Sequence, residues 1–398
     1  MLRRERLFIK ERLGFRLPEK RNQTNSLWLH AVSVGEVLSL QNLILRLKQK
    51  HPDWAIYFST LTNTGMRVAR EKLASVDQIF FIPLDFPFIV RKFFNTLQPK
   101  LFILAESEFW PILLKEAKRK TKGVLLINGR ISHRSFRRYL RFRFLARKIL
   151  ENIDLFLMQT EDDKERLEKM GMHPENVRAV SNLKSEIELP LLNDEELAKI
   201  KKELGISSKK KIIVAGSTRK GEEIKLLKAF EKARGVREDL SLILAPRHPE
   251  RFDEVVRTCL NYPFQVKRRT QISADSEWDI LVLDTLGELA QIYALGDLAF
   301  IGGSLVPWGG HNLLEPAFYR KPIFFGPHMK NFSYLSRKFV QSGAARVVFN
   351  EEELLEMFLM QNESFLKEMG DRAKETLDSL QGATEKTIRA IEVMMAPP

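Results

Sequence analysis

Cysteine is nearly absent from this 398-residue chain. Cys259 stands alone, so no internal disulfide can form, and the composition fits a reducing compartment. Histidine is sparse as well: seven residues, scattered without the spacing that His, Cys and carboxylate ligands need to hold an ion. Neither a metal nor a cofactor is expected. No apolar run reaches the ~18 residues that a membrane-crossing helix requires. The opening stretch MLRRERLFIK is basic but lacks the apolar core of about 7–15 residues found in a secretory signal. The body of the protein is therefore expected in the cytosol. Two nucleotide motifs are missing too. Residues 216–221 (GSTRKG) have the glycine spacing of a P-loop, but Glu222 and Glu223 stand where Lys and Ser/Thr are required, and no G-x-G-x-x-G follows the first predicted strand. These absences exclude an NTPase and leave dinucleotide binding unsupported.

Hydrophobic residues make up 44% of the chain, enough for two cores, and the length suits two domains of roughly 150–200 residues each. The balance of 65 Lys+Arg against 51 Asp+Glu leaves +14. Such a charge favours nucleic acid, acidic lipid head groups or phosphorylated substrates, without choosing among them. Near the start, Arg3, Arg4, Arg6, Lys10 and Arg12 interleave with Leu2, Leu7, Phe8, Ile9 and Leu13, a pattern suited to attachment at an anionic membrane surface.

Short apolar runs at 27–34, 55–60, 79–83, 101–105, 123–128, 154–159 and 177–180 read as strands. The stretches 36–50, 64–75, 110–120, 134–151 and 161–170 between them have helical spacing. Continuous apolar strands separated by helices predict a parallel sheet covered on both faces and doubly wound. A polar stretch at 185–211, with Pro190 and a run of serines and lysines, is expected to be the linker and the entry to the second domain. The alternation restarts with strands at 212–216, 241–245, 279–283, 297–301 and 322–325, and the last fifty residues read as helices. The expected fold is thus α/β: an N-terminal domain at 1–184, the linker, and a C-terminal domain at 212–398. The natural site would be a cleft at the C-terminal ends of the strands.

Strand ends carry the chemistry. The first strand runs out through His30-Ala-Val-Ser-Val-Gly-Glu36 and the fourth through Ala105-Glu106-Ser-Glu108-Phe-Trp-Pro111. In the usual doubly wound order these strands are neighbours where the sheet order reverses, which would bring Glu36 and Glu106 close together. One could act as a general base whose pKa the other raises. Alternatively, both simply complement helix dipoles. Further on, Gly302-Gly303-Ser304 and Trp308-Gly-Gly-His-Asn312-Leu313-Leu314-Glu315 place glycines between a strand and a helix, where backbone amides can approach a phosphate. Gly303 and Ser304 are candidates for such a loop, and Glu315 could bind ribose hydroxyls. Asn312 and Glu315 also have capping-box spacing. Pro246 and Arg247 follow a strand and set a guanidinium suited to bidentate phosphate binding or, alternatively, to a surface salt bridge, and Gly287, Glu288 and Leu289 open another helix. Residues 134–148 (RSFRRYLRFRFLARK) join seven Arg/Lys to four aromatics. They could meet phosphorylated lipid head groups or single-stranded nucleic acid, or the aromatics could simply pack on the sheet.

Taken together, HAVSVGEV (30–37), the Glu-x-Glu-x-Trp-Pro run (106–111), NGRIS (128–132), NLK (182–184), GSTRKGEE (216–223), APRHPERF (245–252) and GGSLVPWGGHNLLEP (302–316) resemble the 3-deoxy-D-manno-octulosonic acid (Kdo) transferases of lipopolysaccharide synthesis. The motifs span nearly the whole chain in family order. The resemblance implies a GT-B fold, two Rossmann-like domains facing a central cleft, and inverting, metal-independent transfer of Kdo from CMP-Kdo to a lipid A precursor (lipid IV-A). It implies Glu36 as general base, Glu106 and Lys184 as charge-stabilising groups, and CMP contacts at Pro246, Arg247, Gly287, Glu288, Leu289, Asn312, Leu313, Leu314 and Glu315. The implied location is the cytoplasmic face of the inner membrane, with Arg137, Arg138 and Arg141 as candidates for acceptor or membrane contact. No nucleic-acid partner is expected; the alternatives are another GT-B nucleotide-sugar transferase or an epimerase, or a non-catalytic anionic-polymer-binding protein, which would leave the strand-end carboxylates and glycines unexplained. Many family members begin with a hydrophobic anchor, whereas this chain starts with the basic segment, so peripheral attachment is expected. Gly129 stands where alanine is frequent in the family.

Overall fold

The computed structural model describes residues 8–106, 109–207, 209–273 and 276–396, which form two compact units. The first holds seven strands: β1 (Ser26–His30), β2 (Ala55–Thr60), β3 (Gln78–Phe81), β4 (Leu101–Ala105), β5 (Gly123–Gly129), β6 (Leu155–Met158) and β7 (Val177–Ala179). All pair in parallel, in the order β3-β2-β1-β4-β5-β6-β7. Every residue of β1, β2, β4 and β5 is buried, as helical crossovers on both faces require. Alternate side chains serve different cores: Trp28, Tyr57 and Phe102 enter one cluster, Leu27, Leu29 and Ile103 the other. β1 stops at His30, earlier than the apolar run to residue 34 suggests, because Ser33 caps a new helix, Val34–Ser39.

The second unit repeats the plan with β8 (Lys211–Thr218), β9 (Leu240–Pro246), β10 (Val266–Arg268), β11 (Ile280–Val282), β12 (Leu298–Ile301), β13 (Ile323–Phe325) and β14 (Ala345–Val347). They are again all parallel, in the order β10-β11-β9-β8-β12-β13-β14. The two edge strands, β10 and β14, are absent from the five expected. Each is three residues long and centred on an exposed residue, Lys267 or Arg346, so no apolar run announces them. Two doubly wound sheets in one chain make this an α/β protein of GT-B type.

The first unit ends at Glu186, and the helix Asp194–Glu203, inside the stretch expected as linker and domain entry, belongs to the second. Trp278 Nε1 donates to Leu204 O at 2.7 Å and fixes the end of that helix. The unit boundary departs from the expected one at the C-terminus: residues from Leu380 onward rejoin the first unit. The helix Ala383–Met395 buries Ala383, Ile388, Ile391 and Met395 in the cluster that holds Leu29, Leu43, Ile44 and Leu47. Its return is stapled by Gln381 Nε2 donating to Ser185 O (3.0 Å) and Thr384 N donating to Glu186 Oε1 (2.7 Å). Of the terminal helices assigned by sequence to the C-terminal domain, Glu351–Leu359 and Glu363–Asp378 stay there and the last does not.

Candidate functional site

In the first unit β1 and β4 are direct neighbours, His30 opposite Leu104, so their C-terminal ends deliver the two candidate acids side by side. After β1 the chain stays extended through Ser33, whose φ of −105° and ψ of 162° suit a helix N-cap. Ser33 Oγ accepts from Glu36 N (3.3 Å) and donates to Glu36 Oε1 (2.7 Å), while Val32 N donates to Oε2 (2.8 Å). Val32 is pinned in turn by Thr60 and Thr62, whose hydroxyls donate to its carbonyl at 3.2 and 3.3 Å. Glu36 therefore closes a reciprocal helix cap, the structural role that its position allowed. It is only 7% exposed. Burial raises its pKa above the ordinary carboxylate value. The Val32 and Ser33 hydrogen bonds oppose that rise, and the charge of Glu106 adds to it. Each carboxylate oxygen accepts one of these bonds and keeps a second lone pair for a proton.

Glu106 follows β4 directly, with φ at 59°. A left-handed backbone at a non-glycine residue costs about 1–3 kcal/mol and persists where its surroundings demand it. Here it accompanies an ion pair: Lys184 Nζ lies 2.6 Å from Glu106 Oε1. The same ammonium is near the first turn of the Glu36 helix, since a Cβ built on Gly35 would lie 3.9 Å from Lys184 Nζ. Glu36, Glu106 and Lys184 thus come together. Sequence reasoning missed the groups that hold Lys184 in place. Asn128, buried and with φ at 52°, accepts from Leu183 N (3.0 Å) through Oδ1, and Asn182 Oδ1 accepts from Lys184 N (2.9 Å). An asparagine within a run of apolar strand residues was the available signal. Glu108, of the same motif as Glu106, lies outside the described residues.

In the second unit Pro246 ends β9 and is buried, and the Arg247 side chain beyond it is exposed. Arg247 N donates to Thr218 O at 3.1 Å, tying the ends of β9 and β8 together. Glu315 has its pKa raised by burial, against an Asn312 hydrogen bond and the charge of Arg247; Arg247 and Glu315 are therefore close. The capping box expected of Asn312 and Glu315 does not form in its usual shape. The helix Leu314–Phe318 starts too late, so Asn312 Oδ1 accepts from Leu314 N (3.1 Å) and its Nδ2 donates to Glu315 Oε1 (3.4 Å). Leu313 and Leu314 are fully core residues, and only their main chain can meet a ligand. Gly287 has φ at +89° with open space about its Cα, and Leu289 begins the helix Leu289–Leu295. The Glu288 carboxylate is engaged by Arg269 Nε (3.0 Å) and Thr285 Oγ1 (2.9 Å).

Gly303 and Ser304 do not serve as an open phosphate loop. Their amides, with that of Leu305, donate to the carboxylate of Glu222 at 2.6, 2.9 and 2.8 Å. The glycines here answer backbone demands. A Cβ on Gly302 would fall 2.4 Å from Ser217 O, and Gly303 sits at φ +69°. A separate cavity of about 850 Å³ opens at the N-terminal ends of the same strands, by Lys211, Asp239, Asp297 and Lys321, away from this constellation.

The basic segment divides between the alternatives. Ser132 caps the helix His133–Arg141, which has no buried residue. Phe136 and Tyr139 pack on the first core, whereas Phe142, Phe144 and Leu145 are exposed beside Arg137, Arg138 and Arg141. At the N-terminus, Arg12 Nε donates to Ile82 O at 3.0 Å and is thereby committed to the protein. Leu2, Arg3, Arg4, Arg6 and Leu7 lie outside the described residues. Among the described residues no helix is long and apolar enough to cross a membrane, and no group of three or more His, Cys, Asp or Glu side chains could hold a metal ion.

Comparison with known proteins matches residues 8–187 to a family described as 3-deoxy-D-manno-octulosonic-acid transferase (kdotransferase). The chain is 34% identical over 364 residues to a bifunctional glycosyltransferase/methyltransferase of Fusobacterium nucleatum, covering 89% of this chain and 55% of that protein, so it spans about half of that relative. It is 32% identical over 392 residues to the 3-deoxy-D-manno-octulosonic acid transferase of Haemophilus influenzae, covering 97% of this chain and 91% of that one. Among solved structures, UDP-GlcNAc 2-epimerase from Neisseria meningitidis superposes with a TM-score of 0.58 at 12% identity, over 93% of this chain and all of that one, a likeness of fold alone. By its identity to the Haemophilus enzyme over almost the full length of both, the chain belongs to the 3-deoxy-D-manno-octulosonic acid transferase family.

Proposed function

We propose that this protein transfers Kdo from CMP-Kdo to a hydroxyl of a phosphorylated lipid A precursor, lipid IV-A, with inversion at the anomeric carbon, as a step of lipopolysaccharide synthesis. The observation that carries the proposal is the Glu36 carboxylate. It is buried, raised in pKa, braced by Val32 and Ser33, and set beside the Lys184–Glu106 ion pair at the reversal point of a parallel sheet. Family membership supplies the substrate class.

In this mechanism Glu36 accepts the proton of the acceptor hydroxyl as its oxygen bonds to the anomeric carbon. The bond from that carbon to the phosphate oxygen breaks, and CMP leaves with the electron pair. A positioned base contributes about 10²–10⁴-fold to such a step. Lys184, steadied by Glu106, offsets charge that shifts toward the leaving phosphate. CMP is held by Arg247 and by the chain around Pro246, Gly287–Leu289 and Asn312–Glu315. Since Leu313 and Leu314 are core residues, specificity there comes from main-chain groups. The acceptor and the membrane are both anionic, which gives the +14 charge a use. Arg137, Arg138 and Arg141, with exposed Phe142 and Phe144, form the surface we assign to peripheral attachment at the cytoplasmic face of the inner membrane.

The test is incubation with freshly made CMP-Kdo and tetra-acylated lipid A precursor, followed by mass spectrometry of the lipid. The expected product is heavier by one or more Kdo residues. An unchanged lipid, together with thermal stabilisation by UDP and not by CMP, would instead favour a UDP-sugar enzyme on the same fold.

A further inference from the structure

Residues 216–223, with P-loop spacing but without its lysine, form the C-terminal end of β8, the turn after it and the start of the helix Glu222–Arg234. They hold two features that the CMP assignment leaves unused. The first is Glu222, which is fully buried. Its Oε2 accepts from Arg219 N (2.9 Å) and Gly303 N (2.6 Å), and its Oε1 from Ser304 N (2.9 Å) and Leu305 N (2.8 Å). Four main-chain donors on two oxygens leave the nest full. An incoming anion cannot use these amides, so side chains must meet its charge.

The second feature is the Arg219 side chain. Its Nε donates to His311 Nε2 at 3.1 Å, its Nη1 touches His248 Nε2, and its guanidinium carbon lies 4.9 Å from the centre of the Trp308 ring. Three rings thus fix the plane of the fork, while no hydrogen bond from Nη2 is formed within the described residues. A guanidinium only donates, so His311 Nε2 accepts and the His311 proton sits on Nδ1; burial, followed by the charges of Arg219 and Arg247, lowers its pKa to about 4. The two guanidiniums act on one another electrostatically, Arg247 lowering the pKa of Arg219 after burial. The repulsion between the two guanidiniums, which Glu222 and Glu250 offset in part at Arg219 and Glu315 at Arg247, is relieved further by a bound anion.

The number of charges on the donor decides what the pair can hold. A UDP-sugar concentrates its charge on one pyrophosphate. A nucleoside monophosphate joined to a keto-acid sugar instead carries a phosphate and, on the other side of the anomeric bond, a carboxylate. One exposed arginine for the phosphate and one braced arginine with a free edge suit the second pattern. We infer that Arg219 grips the sugar carboxylate of the donor while Arg247 meets its phosphate, so that Arg219 selects an acidic sugar and fixes the face of its anomeric carbon. This rests on the CMP-sugar assignment above and adds to it a residue and a reason for selectivity.

The experiment is calorimetric binding of CMP and of CMP-Kdo, without acceptor, to the wild type, R219Q and R219K. In R219Q the affinity for CMP-Kdo is expected to fall roughly 30-fold or more, as when one member of a desolvated charge pair is lost, while CMP binding is unchanged. R219K keeps the charge without the fork and should fall between. Equal losses for the two ligands would reassign Arg219 to the phosphate and overturn the inference, as would no loss for either. The thermal midpoint of unliganded R219Q checks its folding, and if that variant does not fold, R219K carries the same comparison. A wild type that binds UDP and not CMP would instead remove the donor assignment itself.

Discussion

Ser33 and Glu36 hold each other: the serine hydroxyl donates to the glutamate carboxylate at 2.7 Å and accepts the glutamate amide at 3.3 Å. Helix cap and candidate base are therefore one device. The cap fixes the carboxylate in a single position, while burial keeps its proton affinity higher than that of a solvated glutamate. The proposed base works deprotonated, so activity should fall as pH drops through this raised pKa. Ser33→Ala removes a hydrogen bond to the anion, a charge-assisted type worth about 1.5–3 kcal/mol, and should move the acidic limb of kcat/KM roughly 1–2 units to higher pH. A pH–rate profile decides it; an unmoved limb would detach that limb from Glu36.

Glu36→Gln preserves the shape of the side chain and removes the base. Turnover should fall by about 10²–10⁴-fold, with CMP binding intact because the proposed nucleotide contacts belong to other residues. Turnover near the wild-type rate would end the base assignment.

Glu106→Gln acts in the opposite sense to Ser33→Ala. The Glu106 charge contributes to raising the Glu36 pKa, so neutralising it should carry the acidic limb to lower pH. The maximal rate should also drop, because Lys184 loses its partner at 2.6 Å. Opposite displacements in the two variants, measured in one buffer series, would tie both residues to a single titrating group.

Glu222 predicts a stability effect. Burial raises its folded pKa above the unfolded value, so its contribution is fully present below the unfolded pKa and is lost as pH rises through the folded one. Glu222→Gln should remove this pH dependence. It should also destabilise the second unit by about 1–3 kcal/mol, since an amide NH₂ would face main-chain donors it cannot satisfy. Denaturant unfolding followed at several pH values measures both effects.

Charge reversal at Arg137, Arg138 and Arg141 should weaken binding to anionic liposomes by roughly 100-fold or more, at about 1 kcal/mol for each basic residue near the surface. CMP binding should not change. Co-sedimentation with liposomes is the measurement, and equal loss of both activities, or loss of neither, would count against this surface.

Much of this architecture was legible in the sequence. The seven strands of the first unit stand out because buried parallel strands are continuous apolar runs, and the β1–β4 adjacency that joins Glu36 to Glu106 follows from doubly wound order. What stayed hidden depended on distance along the chain. The short β10 and β14 have a charged residue at their centre. Glycines at 302–303 signalled an unusual backbone, but not that Glu222, 81 residues upstream of Gly303, fills the amide nest. Lys184 reaches Glu106 across 78 residues, and only the folded arrangement of Asn128 and Asn182 explains how. For the last helix, amphipathic spacing says that one face is buried and is silent on which sheet receives it.

That last helix bears on how the molecule is made. A ribosome releases residues 8–186 long before Ala383–Met395 exists, so the newborn first sheet must wait with Leu43, Ile44 and Leu47 lacking their final cover until translation has run through the entire second unit. The amino-terminal half is thus the earliest to be synthesised and the last to be sealed.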